Sequence, residues 1–350
     1  NQHQYYYIGA ISPMNNLQPT SNREPWIDFA KGITLLLVII GHTVSGVLSG
    51  AIYSFHMPLF FILSGITAKL SSSAQQFSDK TQRSFRRLMF PFFLIYTIQT
   101  VVYLLRHFSN IQQDASFLPA YLKERILAGI FSSGVTISVF GTEVLYVGVI
   151  WFFPALFIGK TLFDYMHLKL TAKQFPLICL LCSIAGVVIG QYQCLPLSFD
   201  VVLAIMPLFY IGQHFNVFNV KKSPIKKFFL YALIWGIFLI ITYVLGHHCL
   251  ELASRRYPAY PLCFITALAG TLMVSEFSVF CCQYNFLSRP IQYIGKNSLY
   301  LLCIHTLEWD YLTKLWNISS NMYICTIIRI LLDLSLFLLF MLMRSKHFKR

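Results

Sequence analysis

Long apolar runs separated by short polar connections set the pattern of the chain. A helix rising 1.5 Å per residue needs about 20 apolar residues to cross a bilayer. Ten runs of that order lie near 27–46, 51–69, 88–106, 146–164, 175–191, 199–215, 227–247, 260–280, 297–315 and 322–343. An eleventh, near 126–140, is shorter and interrupted by Ser132-Ser133-Gly134, which predicts a re-entrant or interfacial segment. The pattern predicts an all-α membrane protein, a bundle of about ten transmembrane helices. Residues 1–25 are polar and tyrosine-rich with no apolar core, and read as a polar N-terminal tail rather than a cleavable signal peptide. Residues 26–343 form one membrane domain, undivided by linker, low-complexity tract or repeat, and 344–350 a basic cytoplasmic tail. The expectation is that any chemistry is done by the bundle itself.

Composition agrees: 56% hydrophobic, 11% charged residues and a mean hydropathy of +0.62 exclude an ordinary soluble globule. The excess of 27 basic over 13 acidic residues raises the question of nucleic acid, and its distribution answers it. Lys69, Lys80, Arg83, Arg86 and Arg87 follow the second span, and Lys169 and Lys173 the fourth. Lys221, Lys222, Lys226 and Lys227 follow the sixth, Arg289 and Lys296 the eighth, and the chain closes on RSKHFKR. Every second connection is basic, which by the positive-inside rule places both termini in the cytoplasm. The charge reports topology and no nucleic-acid partner. Nine cysteines, with no His/Cys spacing of the zinc type, read as small buried hydrophobes, and no metal is expected.

Ionisable residues inside a span cost about 2.5–3.5 kcal/mol each on insertion scales, so they are candidates for function. KGITLLLVIIGH carries Lys31 and His42 in the first span. Eleven residues return a helix to within about 20° of its starting face and separate the two by ~16 Å in height. Lys31 and His42 therefore share a face, with Thr34 and Val38 on or near the same stripe. Lys31 by itself also fits a lysine snorkelling to the headgroups. His56, in SFHMPLFFILSG, lies at the depth of His42 on the next helix, and Pro58 inside that span frees a backbone carbonyl. The ninth span carries Asn297, Ser298, His305 and Glu308, a polar seam that also fits interhelical hydrogen bonding. Asp200 reads as a cap of the sixth helix, and Glu143, before the fourth, is left open. Arg83 and Arg86, three apart, present two guanidiniums on one helix face, suited to phosphate oxygens or simply to the inner membrane surface.

The segments WIDFAKGITLLLVIIGH, FHMPLFFILSG, RSFRRLMFP, WFFPALF and IGKNSLYLLCIHTLEW, within about residues 24–343, together resemble the acyltransferase-3 family of integral membrane acyltransferases, near its fucose 4-O-acetylase-like branch. Lys31 and His42 match the family's pattern of a basic residue, ten intervening residues and a histidine. Lys stands where many members have Arg. Arg83 and Arg86 match its paired-arginine motif, although Arg87 permits a frame shifted by one. Many members carry an extracytoplasmic SGNH hydrolase-like domain, and no counterpart is expected here.

The resemblance implies transfer of acetyl groups from cytoplasmic acetyl-CoA to hydroxyls of sugars or lipid-linked glycans, and a place in the bacterial cytoplasmic membrane among its lipids. On that reading His42 and Lys31 are catalytic, and Arg83, Arg86, Lys31, Asn297 and Ser298 hold the acetyl-CoA. His56, Trp151, His305 and Glu308 face the acceptor or orient the imidazole. A covalent acetyl-histidine relay competes with general-base catalysis at His42. A transporter, and a relay subunit serving a separate SGNH-type transferase, are the alternative functions.

Overall fold

Apolar runs become helices because a backbone in hydrocarbon has no water to satisfy its N–H and C=O groups. The computed structural model describes residues 24–218, 224–312 and 318–347. Almost all of the expected N-terminal tail, Lys221, Lys222 and the last three residues of the basic tail lie outside them. The chain runs through α1 (Pro25–Thr43), α2 (Val47–Tyr53), α3 (His56–Ile66), α4 (Ala74–Arg106), α5 (Phe108–Gln113) and α6 (Phe117–Phe131). A hairpin follows, β1 (Ile137–Val139) and β2 (Thr142–Val144), then α7 (Phe152–Lys169), α8 (Gln174–Tyr192), α9 (Phe199–Ala204) and α10 (Met206–Gln213). The last five helices are α11 (Pro224–Gly246), α12 (Leu262–Cys281), α13 (Asn285–Lys296), α14 (Ser298–Tyr311) and α15 (Met322–His347). The protein is an all-α polytopic membrane protein.

Each of the ten apolar runs is helical over most of its described residues. Among the described residues eight helices are long and apolar enough to cross a membrane, α2 and α3 counting together as Val47–Ile66. The segments Pro196–Ala204 and Met206–Gln213, bent by 52° at their break, pass the same test together and make nine if they are one span. The bend sits just before Pro207, whose missing N–H and bulky ring disfavour a continuous helix through Ile205. The remaining run, 297–315, is α14, helical over 14 residues, after a break at Asn297. The segment near 126–140 is the end of α6, a left-handed Ser132 (φ 45°) and the first strand. Pro58 lies inside the span Val47–Ile66, as the sequence suggested, in the first turn of α3 just after the turn that separates it from α2, where no intrahelical N–H is needed.

Lipid gives helices little hydrophobic reason to associate, so close packing has to hold them together. α1 is enclosed by α2, α12, α13 and α15, and α3 lies against α10 and α12. At the α3–α10 crossing Gly65 and Gly212 meet backbone to backbone: a Cβ on Gly212 would lie 2.2 Å from the carbonyl oxygen of Ile62. α11 is the opposite case, packed on α12, burying only Thr242 and turning Phe229, Leu233, Ile240 and Val244 outward.

At the far end of the bundle from the α3–α4 connection, a buried ion pair fastens the loop between α11 and α12. Arg255 Nε donates to Asp200 Oδ2 at 2.9 Å, Nη1 to Ser133 Oγ at 2.9 Å and Nη2 to Ser198 Oγ at 3.2 Å. Asp200 Oδ1 accepts from the Leu195 N–H at 3.0 Å. Asp200 is thus a tie between loops and not the cap that its position suggested; the cap position of α9 belongs to Ser198, at φ 52°. Burial, helped by the Asp200 carboxylate, pushes the pKa of the Tyr257 phenol in the same loop well above its ordinary value. Glu143 is exposed on β2, opposite Ser138.

Two stability effects follow. Replacing Asp200 with Asn leaves Arg255 buried against a neutral partner and is expected to cost about 3–5 kcal/mol, against ~0.5–2 kcal/mol for loss of a cap. Thermal unfolding in detergent distinguishes the two, and Asp200→Leu combined with Arg255→Met is expected to recover most of the loss. Gly212→Ala is expected to lower the melting temperature through overpacking of about 1–3 kcal/mol, whereas Gly236→Ala, inside α11 with nothing within 4 Å of its added Cβ, does not lower it.

Candidate active site

The α1 stripe predicted from spacing lines one wall of a cavity of about 1330 Å³. Its residues are Lys31, Leu35, Val38 and His42, at steps of four, three and four. Thr34, expected on this wall, is fully buried in the packing, and Leu35 takes its place. A volume above the usual ~300–1,000 Å³ of small-molecule sites fits an elongated ligand or two ligands at once.

One end of the cavity is cationic. α4 has 33 residues, ~50 Å at 1.5 Å each, so it overruns a hydrocarbon core of about 30 Å by several turns. Those turns carry Lys80, Arg83, Arg86 and Arg87 on the cavity, which admits all three arginines and leaves the frame of the motif immaterial. The arginines are exposed, whereas Lys160 of α7 joins them half-buried. Lys296, Asn297 and Ser298 at the α13–α14 break, and Arg344 of α15, complete this end. The connection into α4 is pinned to α7: Asp164 accepts from the Ser71 N–H and hydroxyl at 2.6 Å each, and Lys80 Nζ donates to Ser71 Oγ at 3.0 Å. The sequence reading counted Lys80 only among the charges that report topology and gave Lys160 no role. Their cue is available only once α4 and α7 are placed side by side.

The other end carries imidazoles. His42 is half-buried on the wall, with Tyr53 between it and His56; the ring centroids are 5.9 and 5.1 Å apart. His56 is buried, its Nδ1–H donating to the Ile52 carbonyl at 3.1 Å. Trp151 lines this end, its indole against Gly134, and Glu251, Leu252 and Ala253 of the loop held by Arg255 close over it. Between the two ends the walls are mostly apolar, with Met57 and Phe60 from α3 and Leu94, Ile95 and Ile98 from α4.

His305 and Glu308 do not line the cavity. They lie behind His42, fully buried, with the His305 ring edge-on to the His42 ring at 5.7 Å between centroids. Two residues of α15 that the sequence reading passed over complete the cluster. His305 Nδ1 lies 2.8 Å from Asp333 Oδ2 but 3.8 Å from Glu308 Oε2. Glu308 Oε2 instead accepts from Arg329 Nη2 at 2.7 Å and Nε at 3.3 Å. The signal for both was an arginine and an aspartate four apart in the apolar run IIRILLDL. His305, Glu308 and Asp333 hold their ligand-type atoms within 4.8 Å of one another, a spacing that suits a cation, and the guanidinium of Arg329 supplies a positive charge there. His305 and Glu308 thus pack behind His42 and do not line the cavity.

Comparison with known proteins adds to this geometry. A family model described as an acyltransferase domain, Acyl_transf_3, matches residues 24–343. The chain is 32% identical over 99 residues to the nodulation protein NolL of Mesorhizobium japonicum, covering 24% of this chain and 26% of that protein. It therefore spans about a quarter of the length of that curated relative. No solved structure matches. The chain belongs to the acyltransferase-3 family and is a multi-pass membrane protein.

Proposed function

We propose that this protein is an O-acetyltransferase of the bacterial cytoplasmic membrane. It moves an acetyl group from cytoplasmic acetyl-CoA to a sugar hydroxyl of a surface polysaccharide, such as lipopolysaccharide O-antigen or capsule, or of its lipid-linked precursor. The observation that supports this reading is the continuity of one cavity from a cationic end to His42. The phosphates of CoA suit the guanidiniums of Arg83, Arg86 and Arg87, whose forks match phosphate oxygens. Asn297 and Ser298 supply neutral hydrogen-bonding groups beside them. The pantetheine arm would lie along Leu35 and Val38, past Lys31, bringing the thioester to the level of His42, ~16 Å away along α1.

His42 acts as general base in this reading. The acceptor oxygen attacks the thioester carbonyl carbon, His42 takes the hydroxyl proton, the C–S bond breaks, and the proton passes to the departing thiolate. Proximity of two bound substrates supplies much of the acceleration, and the positioned base contributes about 10² to 10⁴. His56, Tyr53, Trp151 and Glu251 surround the place of the acceptor. Aromatic faces beside a carboxylate suit a sugar, which presents both C–H surface and hydroxyl donors. Basic connections on the side of Arg83 support a donor end in the cytoplasm, with both termini, and an acceptor end toward the outer face.

Purified protein in detergent, given acetyl-CoA and an isolated surface glycan, is expected to release free CoA thiol and O-acetylate the glycan. A transporter would do neither, and a relay subunit would release thiol only with a second protein present. His42→Ala is expected to lower kcat at least ~10²-fold with folding intact; an unchanged rate would remove His42 from the chemistry. Arg83→Gln with Arg86→Gln is expected to raise KM for acetyl-CoA about tenfold or more while kcat stays near wild type, and an unchanged KM would leave the arginines as topology signals alone.

A further inference from the structure

The His42 imidazole has two ring nitrogens, and a general base needs the lone pair on the one that faces the acceptor. In a neutral imidazole that choice is made by whatever the other nitrogen bonds to. Behind His42 stands a second imidazole, His305, off the cavity and fully buried. Its Nδ1 is 2.8 Å from Asp333 Oδ2, a hydrogen bond that puts the proton of His305 on Nδ1 and the lone pair on Nε2. Two carboxylates compete for that proton, and the structure separates them: Arg329 holds Glu308 at 2.7 Å, leaving its nearer oxygen 3.8 Å from His305. Asp333 is therefore the acceptor.

We propose that Asp333 and His305 are positioning residues for His42: Asp333 fixes the tautomer and the ring of His305, which packs edge-on behind the His42 ring at 5.7 Å, holds that ring in place and leaves its outward nitrogen as the base. The inference rests on the acetyl-transfer reading above. The chain of groups is carboxylate, imidazole, imidazole, acceptor hydroxyl. No proton needs to travel the length of it. The acceptor proton goes to the outward nitrogen of His42, and the positive charge formed there is stabilised through His305 by the Asp333 carboxylate. Arg329 contributes by occupying Glu308, so that one carboxylate rather than two faces His305.

The test is a kinetic cycle on the purified full chain with acetyl-CoA and a glycan acceptor. Asp333→Asn keeps the shape but reverses the hydrogen-bonding choice, and is expected to lower kcat at least ~10²-fold, as when an Asp behind a catalytic imidazole becomes Asn. KM for both substrates is expected to stay within about twofold, and Asp333→Glu to restore a large part of kcat. His305→Phe is expected to lower kcat equally, and Asp333→Asn added to it to lower kcat no further, because groups acting as one unit are not additive. A kcat within threefold of wild type in either single variant, or losses that multiply in the double variant, would overturn the proposal. Should Asp333→Asn fail to fold, His305→Phe decides it by the same threefold criterion, with Asp333→Glu still expected to keep a large part of kcat. Wild-type protein that transfers no acetyl group, or that is indifferent to His42→Ala, would instead refute the acetyl-transfer reading. An active, His42-dependent enzyme indifferent to Asp333 and His305 would refute only the relay.

Discussion

A carboxylate and a guanidinium buried against each other inside a membrane bundle set the conditions for the rest of this site. Arg329 and Glu308 lie 2.7 Å apart with their side chains at 1% and 0% exposure, joining α15 to α14. Each group alone would be costly in that medium, and together they are tolerable only in a fixed geometry. That rigidity is transmitted to His305, which sits one helical turn from Glu308 and across from Asp333, and through His305 to the wall of the cavity at His42. The other walls are set by a different constraint. α1 approaches α13 so closely that Gly32 faces the carbonyl of Ile291, and this contact holds the lower half of the Lys31–His42 stripe beside Lys296, Asn297 and Ser298. Ionic geometry fixes the imidazole end and close backbone packing the cationic end.

The parts of this arrangement that depend on one helix were legible in the sequence. Spacing alone put Lys31 and His42 on one face, and they line one cavity. The i, i+3 pair Arg83 and Arg86 reached the same cavity for the same reason, and His56 came out at the level of His42 because only a short turn separates their helices. What depended on a partner far along the chain was not legible. His305 and Glu308 were visible as polar residues in an apolar run, but Asp333 and Arg329 are 28 and 21 residues further on, and no periodicity within α14 points to them. Asp200 looked like a cap because its neighbours resemble a helix start, and its real partner Arg255 is 55 residues away in a loop. The span boundaries blurred where hydropathy cannot see a bend: Pro207 divides α9 from α10 inside one apolar run.

The separation of the two ends also bears on why such a reaction belongs in a membrane bundle. Moving the charged phosphates of a donor across a bilayer is prohibitive, whereas a neutral thioester on a flexible arm can reach inward through an apolar channel while its phosphates stay among arginines. The mostly apolar stretch between Lys31 and His42 suits that division, since it offers little hydration to a charged group and little resistance to an aliphatic one. In the proposed transfer it would also limit water near a thioester, leaving an acceptor hydroxyl with fewer competing nucleophiles. The loop pinned by Arg255 complements this channel. Glu251 to Ala253 close the imidazole end of the cavity on a segment tied to α9 and to the turn after α6, which keeps that end shaped without a spanning helix of its own.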